Sequence, residues 1–192
     1  MEEVIAIDVV FLLPEHIVKI CQDVNNCLDN TDYVSFKEGY NPHVTLGMGS
    51  LKISDIDNFT KDLEATLQKL TAPHILLESL ETEKYCGFTV GMNTVLKDYH
   101  VTVFDLISKY SAGAVSYQNF YKMSEPSGLV DWVNTFRESN AYEKYNPHIT
   151  LGHGKVALSF EYPIKFVPAS VGLFHLGVHG TCKKELFRFE LK

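Results

Sequence analysis

The sequence predicts strands and helices arranged as two interlocked lobes about an approximate two-fold axis, and three observations predict it. The phrase NPHVTLGMG at 41–49 returns as NPHITLGHG at 146–154. Strand-like and helix-like hydrophobic patterns are interspersed along all 192 residues. No linker separates the halves, so they read as lobes of one domain over 1–192 rather than as independent domains.

The elements follow from periodicity. Residues 4–12 alternate as a buried strand does, and Pro14 opens a helix whose Ile17, Ile20, Cys21, Val24, Cys27 and Leu28 fall on one face. A strand carrying the first nonamer comes next. Ser54 with Asp57 three residues on resembles a capping box, and Ile56, Phe59, Leu63, Leu67 and Leu70 mark the inner face of a helix over 55–70. Strand-like runs lie near 74–80 and 86–91. A helix with Leu96, Tyr99, Val103, Leu106, Ile107 and Tyr110 inward ends near Ser111. The Gly/Ser/Pro-rich SAGAVSYQNFYKMSEPSG then leads to a shorter helix holding Trp132, Val133 and Phe136. After the second nonamer, the tail from about 165 to 191 alternates apolar residues around His179-Gly180 and reads as a closing hairpin.

Composition bounds the function. At 45% hydrophobic the chain can bury a substantial core. Seventeen basic against 24 acidic residues leave a formal charge of -7, and no Lys/Arg run forms a stripe for a long duplex. A nucleic-acid partner is therefore small or gripped at one end. The four cysteines make no C-x-x-C and read as reduced, packed thiols of a cytoplasmic protein. The apolar run VIAIDVVFLL follows Glu2 and Glu3, contains Asp8, and lacks a basic leader and the length to span a bilayer, so no membrane partner is expected. A monomer is expected.

The repeat carries the chemistry. Glu38–Leu51 and Glu143–Val156 share nine identical residues in fourteen, and the two histidines lie 148 − 43 = 105 apart, which suits one duplicated lobe. On a strand, alternate side chains share a face, so His43 and Thr45 point one way while Val44 and Leu46 can enter the core. Two such strands about a two-fold axis enclose a cleft with two imidazoles and two hydroxyls. Asn-Pro before each histidine sets an extended approach to the strand, and the glycines after Leu46 and Leu151 allow close backbone contact. Displacement at phosphorus wants this set: one imidazole as general base, the other as general acid, and hydroxyls on the non-bridging oxygens, with no metal or other cofactor.

The pair PHVTL and PHITL resembles the signature of the two-histidine (2H) phosphoesterase superfamily, which includes the bacterial 2′-5′ RNA ligase and 2′,3′-cyclic phosphodiesterases. The resemblance implies a bilobal, pseudo-symmetric α+β fold, each lobe an antiparallel sheet with helices outside and a central cleft between the H-x-T strands. It implies catalytic roles for His43, Thr45, His148 and Thr150. The spacing of 105 is longer than the family leads one to expect, and the extra length is placed in Ser111–Gly128. The expected activity is metal-independent cleavage of a 2′,3′-cyclic phosphate, a 2′-5′ linkage or a cyclic oligonucleotide. The partner is a nucleotide, a short RNA end or a cyclic oligonucleotide. The alternatives are a non-catalytic nucleotide-binding module and RNA end-joining by the reverse reaction.

Other candidates are secondary. Tyr40 and Tyr145 precede the two motifs and could stack a base, although tyrosines beside a turn more often pack. Lys155, where the first copy has Ser50, could add phosphate charge. His153 falls on the opposite face if the strand continues. Two further triplets, His100-Val101-Thr102 in a helical pattern and His179-Gly180-Thr181 in a turn, lack the strand context. The spacings His148-x4-His153 and His175-x3-His179 match no zinc pattern.

Overall fold

The computed structural model describes residues 2–28, 36, 39–82 and 85–191. Glu38, first residue of the repeat window, lies outside them. In chain order the elements are β1 (Val4–Leu12), α1 (Glu15–Asn26), β2 (His43–Lys52), α2 (Ile56–Leu67), β3 (Ile75–Glu81), β4 (Cys86–Val90) and α3 (Thr94–Tyr110). They continue with α4 (Gly128–Asn134), α5 (Phe136–Ser139), β5 (His148–Gly152), β6 (Ile164–Phe166), β7 (Ser170–His175) and β8 (Lys184–Glu190).

The strands form two four-stranded antiparallel sheets, ordered β2-β1-β7-β8 and β5-β4-β3-β6. Each H-x-T strand is thus the edge of its own sheet, and the two edges, β2 and β5, meet in the middle of the molecule. The helices are exchanged. After β1 the chain runs through α1, which packs on β5 of the other sheet; after β4 it runs through α3, which packs on β2. This crossing interlocks the lobes, and one core cluster runs through both sheets, from Ile7 and Val9 to Phe88 and Ile149.

An edge strand inside a protein needs partners for its outer backbone groups. They come symmetrically. Asn25 of α1 donates through Nδ2 to the Leu151 carbonyl at 2.7 Å, and His100 of α3 pairs through Nδ1 with the Leu46 carbonyl, also at 2.7 Å. Leu46 and Leu151 are the same position of the repeat. The glycines after them permit the close approach: a Cβ on Gly47 would lie 3.1 Å from Ile107 Cδ1, and one on Gly152, where φ is +140°, 2.8 Å from Leu28 Cδ1.

Several sequence expectations are corrected. Ser54 makes no cap, because Ile53–Asp55 forms a 3-10 turn and α2 begins only at Ile56 with no side-chain cap hydrogen bond. Cys27 is exposed at the end of α1 rather than on its inner face. Trp132 is 45% exposed, since Val133 and Phe136 take the buried side of α4 and α5. Within the tail, β7 and β8 do form an antiparallel pair, but the residues before them form β6, which pairs with β3 in the other sheet. The Ser111–Gly128 stretch buries Val115, Phe120 and Met123 against Met48, Phe104 and Leu176, and so carries α4 to the rim of the cleft. Among the described residues no helix is long and apolar enough to cross a membrane.

Candidate active site

A cleft of about 610 Å³ lies where the two edge strands meet, and His43, Thr45, His148 and Thr150 all line it. Strand alternation puts them there: Val44, Leu46, Ile149 and Leu151 are fully buried on the opposite faces. The Asn-Pro step sets each ring. His43 Nδ1 lies 2.7 Å from the Asn41 carbonyl, and His148 Nδ1 lies 2.9 Å from the Asn146 carbonyl. A carbonyl can only accept, so each Nδ1 carries the proton and, in the neutral ring, each Nε2 is left with its lone pair. Two residues of each motif thereby fix one tautomer.

The two halves differ in what stands behind the imidazole. Asp8, fully buried in β1, accepts from Thr45 Oγ1 at 3.0 Å and lies 3.7 Å from His43 Nε2. Cys182, fully buried before β8, lies 3.7 Å from both Asp8 Oδ2 and His43 Nε2. Burial drives all three toward their uncharged forms. It lowers His43 to about 4 against the pull of the Asn41 carbonyl, with His148 adding repulsion. It raises Asp8 well above the usual carboxylate range, against its hydrogen bonds from Thr45 and Cys182, and lifts the Cys182 thiol as well. The other carboxylate oxygen, Asp8 Oδ1, has no hydrogen-bond partner among the described residues.

The secondary candidates divide. Tyr40 lines the cleft with Lys183 Nζ 5.0 Å from its ring centroid. Tyr145 also borders it, but its ring is stacked on His100 at 3.8 Å and its hydroxyl donates to the Thr45 carbonyl at 2.7 Å, so it braces β2. Lys155 is exposed beyond β5 and does not line the cleft. His100 is buried and structural, its Nε2 accepting from the Tyr142 amide at 2.8 Å. His179 sits in a 3-10 turn at φ 58° and, with Thr181, forms part of the cleft wall. Four residues that sequence reasoning passes over belong to the site: Asp8, Cys182, Tyr85, whose ring centroid is 5.8 Å from that of His148, and Trp132, which lines the cleft from α4. A single acid in the apolar run VIAIDVVFLL is the signal that points to the first.

Solved structures share this architecture. E. coli LigT complexed with NADP+ is 13% identical, with 99% of each chain covered, at a TM-score of 0.59. TT0787 of Thermus thermophilus is 14% identical, with 97% of this chain and 98% of that one covered, also at 0.59. A structure described as a phosphoesterase is 13% identical over 97% and 98% of the two chains, at 0.54. LigT has also been solved with 3′-AMP and with ATP. No protein-family model matches the sequence and no curated protein does. Over nearly its whole length, then, the chain has the bilobal fold of E. coli LigT, which is the fold that its resemblance to the two-histidine superfamily implies.

Proposed function

We propose that the protein is a metal-independent phosphodiesterase acting on a nucleotide or short oligonucleotide by two-histidine acid/base catalysis. The observation that carries this reading is the matched pair of imidazoles, each held through Nδ1 by its own motif so that Nε2 is left for chemistry in one cleft. His43, kept unprotonated at neutral pH by burial, is the base: its Nε2 takes a proton from water as the water oxygen attacks phosphorus. His148 as imidazolium is the acid, delivering a proton to the departing ribose oxygen as the P–O bond breaks. Thr45 and Thr150 hold the non-bridging oxygens where negative charge accumulates. Thr45 Oγ1 donates to Asp8 Oδ2; a proton on that oxygen, which burial favours, turns the bond round and frees the threonine hydrogen for the phosphoryl group.

Nucleotides bound by LigT support a nucleotide-class ligand here. Tyr40, Tyr85 and Trp132 along the cleft offer aromatic faces on which bases can stack. The test is turnover in excess chelator of 2′,3′-cyclic nucleotides, 2′-5′-linked dinucleotides and cyclic di- and trinucleotides, with His43→Ala and His148→Ala as controls. Turnover abolished by both substitutions in folded protein supports the mechanism, and the product identifies the leaving oxygen. A panel member that raises the melting temperature without being turned over would favour a binding module instead.

A further inference from the structure

We propose that Asp8, His43 and Cys182 form a binding site for a thiophilic divalent cation, zinc foremost, and that a cation seated there shuts the enzyme off by occupying His43 Nε2. The inhibitory half of the proposal rests on His43 being the base. The binding half stands on geometry alone.

Asp8 Oδ2, His43 Nε2 and Cys182 Sγ lie 3.7 Å from one another along all three edges. The centre of such a triangle is about 2.1 Å from each corner, and zinc takes nitrogen and oxygen at about 2.0–2.2 Å and sulfur at about 2.3 Å. A small outward step of the sulfur satisfies all three distances with no rearrangement of the fold. The donor set selects the metal. One thiolate, one imidazole and one carboxylate suit zinc, and cobalt as its probe, whereas magnesium and calcium demand oxygen ligands in larger number.

Charge agrees. On coordination Cys182 gives up its thiol proton and Asp8 its carboxyl proton, both released to solvent through the cleft, so one divalent cation, two anions and a neutral imidazole sum to zero, a set that tolerates burial. Access exists, because His43 and Cys182 line the cleft. No other group of three potential ligands gathers this closely among the described residues, and neither histidine pair considered from sequence spacing enters one.

Chelator-stripped protein titrated with zinc and with cobalt, against a competing chromophoric chelator, tests the site. The expected result is one ion per chain and a thiolate-to-cobalt charge-transfer band. That band is lost in Cys182→Ser and in Cys182→Ala, and it persists when Cys21, Cys27 and Cys86 are all replaced by serine. Asp8→Asn weakens zinc binding by more than about tenfold, and excess magnesium does not compete. Thermal melts establish that each variant is folded, and the band in the chain whose one thiol is Cys182 requires no change at the site. Zinc lowers turnover with the same constant that governs binding, chelator restores it, and the ratio of zinc-treated to chelated rate moves toward one in Cys182→Ser. No band, or one indifferent to Cys182, overturns the site while leaving metal-free turnover untouched. Zinc that binds at the trio and raises turnover overturns the inhibition and the metal-independent reading together.

Discussion

A histidine that serves as a base must present one nitrogen with a free lone pair, and here the residue two positions earlier secures this in both motifs through its backbone carbonyl. Removing either imidazole, as His43→Ala or His148→Ala, is expected to lower kcat by about 10²–10⁴-fold with the circular dichroism spectrum unchanged. The acid limb of kcat/KM, measured in chelator, should fall well below the ordinary histidine value of 6.5 and toward 4. Asp8, Cys182 and His148 are the titratable groups facing His43, and none offsets the effect of burial. An acid limb at 6.5 or above would remove His43 from the base role. Trp132→Ala should raise KM by about fivefold or more, since stacking contributes about 1–3 kcal/mol per base, with little change in kcat. The H-x-T pairs are legible in the sequence because strand alternation puts two chemical groups on one face within three residues. Asp8 shows there only as a lone acid in an apolar run, and its meeting with Cys182 is not legible, since the two stand 174 residues apart and come together only when β7 pairs with β1.

At the scale of elements, the two H-x-T strands can occupy sheet edges only because helices from the opposite lobe cover their outer carbonyls. Asn25→Ala leaves the Leu151 carbonyl without its donor and should cost about 1–3 kcal/mol in urea unfolding. Gly152→Ala sets a methyl group at φ +140° against Leu28 and should be at least as costly, reading out as a lower denaturation midpoint with unchanged slope. These helices were readable where the 3.6-residue pattern was long, as in α3, whose Leu96, Tyr99, Val103 and Ile107 are all buried. Short elements were less so. In α4, only seven residues long, neighbouring apolar side chains compete for one inner face, and Val133 wins it over Trp132. The role of His100 was hidden for another reason: its counterpart about the two-fold axis is an asparagine, so the sequence repeat does not extend to it.

For the whole molecule, exchange of α1 and α3 between the sheets means that neither lobe keeps its edge covered if the other unfolds, so a single cooperative transition is expected. Its dependence on pH follows from the buried histidines. Burial lowers the proton affinity of His43, His100 and His175. For His100 the hydrogen bonds require the neutral ring as well, because the Tyr142 amide donates to Nε2 and a proton there would place two donors face to face. Asp105 and Lys97 near His100, and Glu3 and Lys184 near His175, act in opposing senses and are outweighed. Below about pH 6.5 the unfolded chain therefore binds more protons at these three sites than the folded one, and stability falls as the pH drops from 6.5 toward 4. At about 1.4 kcal/mol per pKa unit, His43 alone contributes on the order of 3 kcal/mol to that loss. Asp8 has the opposite sign in this window, because its raised value lets the folded state hold a proton that the unfolded chain releases, and it offsets at most one of the protons gained at the three histidines. Urea midpoints measured in chelator should decline across this range. In His43→Gln the decline should be shallower, since the glutamine has no proton to gain, and a slope identical to that of the parent would show that His43 is not buried in its neutral form.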